Sequence, residues 1–185
     1  VNITTGSCAQ VTACSGALAG TWFYSEACAD DPLASVRQYC ATMTTVSSTS
    51  TLAGRIDFIG STVVRQVTSG YNSTVNLPTA CTVVSGFPVT CPTIQAVLRN
   101  GVPTATCATA AGSRTGCDCT VSGASTLNET GTYTSDGGVL TVVTPSTTRT
   151  FDTCVTPGAV PSLSVREMTS TLSATERGTT RLIKK

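Results

Sequence analysis

The chain contains no histidine, and only 11% of its 185 residues are charged. Each shortage removes a class of function. Without histidine there is no Ser-His or Cys-His catalytic pair, and a common zinc ligand is missing. The eleven basic and ten acidic residues leave a net charge of +1. The nine arginines are scattered, and both lysines, Lys184 and Lys185, sit at the end of the chain. A phosphate backbone must be met by clustered Lys and Arg, so no nucleic-acid partner is expected. No run of residues reaches the roughly 18–20 apolar positions of a membrane span. There is no HExxH, no P-loop and no GxGxxG in a βαβ setting, and no cofactor is expected. Aromatic residues make up 5% of the chain, with a single tryptophan, Trp22.

Threonine, by contrast, is about a fifth of the chain, far above ordinary usage. Its β-branched side chain suits a pleated, half-wet surface better than a helix. With 40% hydrophobic residues, mostly Val, Ala, Leu and Cys, the composition describes a folded all-β protein with an aliphatic core. The ten cysteines are Cys8, Cys14, Cys28, Cys40, Cys81, Cys91, Cys107, Cys117, Cys119 and Cys154. Their even number, with no histidine and no CxxC pair, reads as about five disulfides rather than a metal centre. Cys117 and Cys119 are too close for an easy bridge to each other, so each is expected to pair elsewhere. The expected compartment is oxidising: extracellular or the outer cell surface, with the chain a mature form whose export signal has been removed.

Residues 1–17 read as a polar leader, and residues 18–185 as a single domain. "LAGTWFYSEA" reads as the first strong strand. "PLASVRQYC" reads as a short helix tied by Cys28 and Cys40. "GRIDFIGSTVVRQVTSG" is a hairpin turning at Gly60-Ser61, with Ile56 and Phe58 on one face and Val63, Arg65 and Val67 alternating with Val64 and Gln66. "STVNLPTACTVV" is a strand limited by Pro78. "CPTIQAVLRNG" is a helix with Pro92 in its first turn, Ile94, Val97 and Leu98 on one face, and Asn100-Gly101 at its end. "TAAGSRTGCDC" reads as a loop. The last third is a meander with turns at Asp136-Gly137-Gly138 and Pro145-Ser146, closed by "SLSVREM", the loop "SATERG" and "TTRLIKK". Eight to ten strands at near-regular spacing fit a closed barrel or a sandwich.

Catalytic chemistry finds little support. The ten acids are Glu26, Asp30, Asp31, Asp57, Asp118, Glu129, Asp136, Asp152, Glu167 and Glu176, and no pair among them marks a glycosidase cleft. A reactive Cys117-x-Cys119 pair would need basic neighbours, and only Arg114 is near in sequence. Arg55 and Arg65 are the arginines closest to a candidate cavity, but solvated outer-face positions on a half-wet sheet are the favoured reading for both. Asn2, Asn72 and Asn128 each begin an Asn-x-Ser/Thr triplet, which carries meaning only in a eukaryotic secretory route.

Gly20-Thr21-Trp22 at the start of the first strong strand, followed by a meander, resembles the lipocalins and their wider calycin relatives. The set "GRIDFIG", "VNLPTAC", "GCDC", "TGTYTSDGGVLTV" and "FDTCV" resembles a group of cysteine-rich, lipocalin-like predicted secreted proteins or lipoproteins of bacteria, over residues 18–184. The resemblance implies an antiparallel up-and-down barrel of about 8–10 strands with short helical insertions, stapled by disulfides. It also implies a barrel-end plug of Gly20, Trp22 and Arg181, with Arg177 as second choice, in which a guanidinium packs over the indole. The cysteine content and the long insertions depart from ordinary lipocalins.

The function that follows is non-enzymatic: binding of a small apolar or amphipathic ligand inside the barrel, lined by Tyr24, Ile56, Phe58, Val63, Val67, Tyr133, Leu140 and Phe151, with Phe23 an alternative to Tyr24. In a filled barrel the same residues are simply core. A binding barrel is expected to hold an apolar cavity of about 300 Å³ or more. The alternative is a structural subunit of a surface layer, filament or appendage, assembled through residues 1–17 by strand addition or by bonds from Cys8 and Cys14 to a neighbour. Non-reducing electrophoresis separates the two. The binding barrel runs as a monomer whose mobility shifts on reduction, and a disulfide-linked or SDS-resistant ladder indicates assembly.

Overall fold

A computed structural model describes residues 1–6, 8–29, 37, 40–84, 86–168 and 178–185. Most of the proposed helix in "PLASVRQYC", residues 173–176 of the loop "SATERG" and Arg177 lie outside the described residues. Twelve strands are present among those described: β1 (Ile3–Thr5), β2 (Gly20–Ala29), β3 (Thr44–Ile59), β4 (Thr62–Leu77), β5 (Val83–Val84), β6 (Phe87–Pro88), β7 (Thr106–Thr109), β8 (Cys117–Asp136), β9 (Val139–Val143), β10 (Thr148–Thr156), β11 (Ser162–Glu167) and β12 (Gly178–Lys184). Strands β2-β12-β11-β10-β9-β8-β4-β3 form a continuous sheet, and β3 pairs back onto β2. The result is a closed antiparallel barrel of eight strands. The turns at Gly60-Ser61 and Gly137-Gly138 fall where sequence places them, and β4 ends immediately before Pro78.

The chain divides into two compact units. The first comprises residues 1–32, 51–69 and 125–185. Its core holds Leu18, Trp22, Phe58, Val63, Leu140, Val142, Leu163, Val165 and Leu182. These residues follow the two-residue period of strands, which sends alternate side chains inward. Phe58 and Tyr133 meet edge to face with ring centroids 4.8 Å apart. In β3, Gly54 stands where a Cβ would lie 2.0 Å from the carbonyl oxygen of Gln66. Only glycine allows the two backbones to approach so closely there.

The leader is part of this unit. β1 runs parallel to β2, with Ile3 opposite Ala27, and Asn2 bridges to Thr51 of β3. β2 and β3 pair directly only over Gly20–Phe23 and Arg55–Phe58. β1 therefore occupies the gap where they part. It brings Ile3 into a second apolar cluster with Ala27, Ala29, Leu52 and Val67. Cys8 bonds to Cys28 and Cys14 to Cys154. The second of these closes a separation of 140 residues, for which the chain-entropy model gives about 5 kcal/mol. Both leader cysteines are thus bonded within the chain, not offered to a neighbour.

The second unit comprises residues 33–50 and 70–124. Its core gathers Cys40, Met43, Val75, Leu77, Ala105, Cys117, Cys119 and Val121. The bridges Cys40–Cys81, Cys91–Cys117 and Cys107–Cys119 all belong to it. Helix α1 (Cys91–Arg99) carries Pro at its start and packs Ile94 and Leu98 against the core. Val97 differs from expectation: it is 64% exposed, and only Ile94 and Leu98 of the expected face pack, partly buried, against the core. "TAAGSRTGCDC" is also not wholly a loop. Thr106–Thr109 pairs with Cys117–Thr120, and Cys107 stands directly opposite Cys119. The Ser/Thr tract at 44–50 is likewise strand, as its β-branched content allows.

Asp118 organises this region. It accepts bonds from Arg114 Nη2 at 2.8 Å, Asn76 Nδ2 at 2.9 Å and the Ala111 N–H at 3.3 Å. Led by the Arg114 bond, these donors hold its carboxyl at about 2, against an ordinary 3.8, although partial burial pushes the other way. A folded value below the unfolded one means that the contribution is complete above about pH 3.9 and is lost as pH falls towards 2. Urea midpoints measured from pH 5 down to pH 2 are expected to fall for the native chain, and to fall less steeply for Asp118→Asn.

Candidate functional site

β2 begins the site at the closed end of the first unit. Trp22 is fully buried and donates from its indole Nε1 to the Leu18 carbonyl at 2.6 Å. The cation above it is Lys184, whose Nζ lies 5.5 Å from the ring centroid and donates to the Ala19 carbonyl at 2.6 Å. Arg181 does not take this place. It stands opposite Glu26 in the β2–β12 pairing, and a register shift separates it from Leu182. The bulge at Ser25 of β2 turns Glu26 to the outer face, where it meets Arg181, placed there by its alternation with Leu182; the two pair at 3.3 Å with side chains 69% and 49% exposed. Such a pair contributes little. Leu182 and Lys184, two residues apart, keep to the inner side. Gly20 has φ +120°, and a Cβ on it would lie 2.6 Å from Cε of Lys184, so the glycine makes room for the lysine stem.

Inward of this plug lies a cavity of about 60 Å³. It brings together Tyr24, Ile56, Phe58, Val63, Leu140 and Phe151 of the residues predicted to line a ligand site. Val67 instead lines a neighbouring cavity of about 30 Å³, which shares Tyr24, Arg65, Gly178 and Thr180 with the first. Tyr133 lines neither; it packs against the core beside Phe58. The volume is well below the 300 Å³ expected of a hollow binding barrel, because the aliphatic core and the Trp22 plug fill most of the interior. Phe23 faces away from the cavity, with Lys185 Nζ 5.2 Å from its ring centroid.

The cavity also holds charges that the sequence reading did not assign to it. Arg65, Glu129, Arg149 and Glu167 line one side, with Thr180 and Gly178. Arg65 Nε donates to the Tyr24 hydroxyl at 3.3 Å. Glu129 Oε2 lies 3.9 Å from Nη1 of Arg65 and 3.9 Å from Nη1 of Arg149. Arg149 is only 9% exposed, and its Nε and Nη1 have no hydrogen-bond partner. Arg65 thus faces inward, correcting the favoured outer-face reading, whereas Arg55 is outside and pairs with Asp57 at 3.1 Å. The signal was strand parity. Arg65 shares its face with Val63 and Val67, Arg149 with Phe151, and Glu167 with Leu163 and Val165.

Among the described residues no group of His, Cys, Asp or Glu comes together as a metal site, and no helix is long and apolar enough to cross a membrane. All ten cysteines are in disulfides, the state of an oxidising environment.

No family model matches the chain, and no curated protein or solved structure matches it either.

The plug generates a stability test. Gly20→Ala meets both the positive φ and the Lys184 stem, and is expected to cost about 1–3 kcal/mol. The double variant Gly20→Ala/Lys184→Ala recovers the steric part and leaves the backbone part. Urea unfolding followed by the emission of Trp22 reads both.

Proposed function

We propose that this protein is an exported, non-enzymatic binding protein of lipocalin-like type, which takes a small amphipathic molecule into the barrel cavity. The observation that carries this reading is the division of the cavity wall. Ile56, Phe58, Val63, Leu140, Val142, Phe151 and Val165 supply an apolar side, and Arg65, Glu129, Arg149 and Glu167 supply a polar one. Sites for small molecules combine apolar walls with a few placed polar groups in this way. The volume restricts the ligand to a short one.

The lipocalin-like reading draws support from the closed eight-stranded topology, in which β2 pairs with both β3 and β12. The Trp22–Arg181 contact that the resemblance implies is not made, which counts against it: Lys184 stands over the indole and Arg181 pairs outside with Glu26. Export draws support from the five disulfides. Assembly through the leader finds less support, since β1 is paired within its own chain and Cys8 and Cys14 are bonded there.

Titration of the labelled protein with 1-butanol and with butyrate, followed by methyl NMR, tests the reading. Saturable shifts are expected at Val63, Leu140, Val142 and Val165. They are expected to vanish in Val142→Phe, which fills the cavity, while the far-ultraviolet circular dichroism is kept. Shifts that rise linearly with both compounds, or that gather on exposed residues such as Val160, would discard it.

A further inference from the structure

Resting on the proposed binding cavity, we infer that its ligand is a short-chain carboxylate, whose anionic head is held by Arg149 and whose alkyl tail lies against the apolar wall. The charges inside the cavity carry the choice of head group. Burying a guanidinium is costly unless its donors are satisfied. Arg149 is nine-tenths buried, yet Nε and Nη1 have no acceptor within hydrogen-bond distance. Glu129 is its nearest counter-charge, and at 3.9 Å that carboxylate stands beyond hydrogen-bond range. The same oxygen of Glu129 is shared with Arg65 at 3.9 Å. Arg65 has the Tyr24 hydroxyl as a further acceptor, and Glu167 has an interaction of its own. The unsatisfied atoms on this wall therefore belong to a cation, and what they lack is an acceptor.

A planar carboxylate answers that need, since guanidinium–carboxylate bonds are charge-assisted and directional. A cationic head offers Arg149 no acceptor, and a neutral alcohol offers a weaker one. The tail is set by Leu140, Val142 and Val165 on one side and Phe58 on the other. The cavity of about 60 Å³ excludes a long chain, because Trp22, Leu163 and Leu182 are fully buried and close the interior beyond it.

Calorimetric titration of the full chain at low ionic strength with acetate, butyrate, octanoate and 1-butanol tests the inference. Butyrate is expected to bind at least tenfold more tightly than 1-butanol, and more tightly than either acetate or octanoate. In Arg149→Met the preference for the acid over the alcohol is expected to disappear, and Arg149→Lys is expected to keep part of it. The comparison of ligands on the native chain stands even if the methionine variant does not fold. Equal affinity for butyrate and 1-butanol would overturn the carboxylate assignment and leave the cavity as a neutral amphiphile site. Absence of saturable binding by any of the four compounds would overturn the assignment together with the binding reading on which it rests.

Discussion

The pairing of the first long strand with the last is the interaction on which the first unit depends. β12 lies against β2 over Gly178–Lys184 and Trp22–Ala29, and this seam closes the sheet. Closure removes the open edges that a sheet would otherwise expose. It also gives each strand an inside and an outside. Trp22, Phe58, Leu163 and Leu182 are buried for that reason. The seam is not uniform. Its bulge lets Trp22, Tyr24, Ala27 and Ala29 serve the interior from one strand although they do not keep a single parity. The same bulge sends Glu26 to solvent, beside Arg181.

Where the closed sheet strains, other parts of the chain complete it. β2 and β3 pair for only a few residues, and β1 enters the gap with Ile3 as its apolar anchor. A leader that looks solvated by composition is thus a structural wedge, fixed by two disulfides. The second unit is held by three bridges of its own and by the bonds that converge on Asp118. Each unit carries its own staples, as suits small aliphatic cores that bury limited area.

The interior of the first unit changes character along the barrel. Beside the plug it is aliphatic and aromatic; further along it carries two arginines and two carboxylates on its inner wall. Charges are placed inside a protein at a cost in stability, since desolvation offsets much of their mutual attraction. Residues kept there against that cost, with buried guanidinium atoms unsatisfied, distinguish this cavity from a gap left by imperfect packing, which would be lined by apolar atoms alone. Glu129 stands 3.9 Å from each of the two guanidiniums, so that one carboxylate is shared between them.

Much of this was legible in the residues. Threonine content and alternation announce an all-β chain, and ten cysteines without histidine announce disulfides. Asp136-Gly137-Gly138 marks its turn, because that backbone needs positive φ, which glycine adopts without strain. Tyr24, Ile56, Phe58 and Val63 point inward because period-two alternation is a local property. Three features were not legible, and each depends on contacts between segments distant in sequence. Disulfide partners follow from which strands become neighbours, as with Cys14 and Cys154. The identity of the cation over Trp22 follows from the register of β12 against β2, which sets Leu182 and Lys184 on the inner face and Arg181 on the outer one. The inward arginines obey the same alternation as their apolar neighbours, but charge alone argues for solvent. Only closure of the sheet, with Glu129 and Tyr24 brought beside them, supplies the partners that make an interior position tolerable.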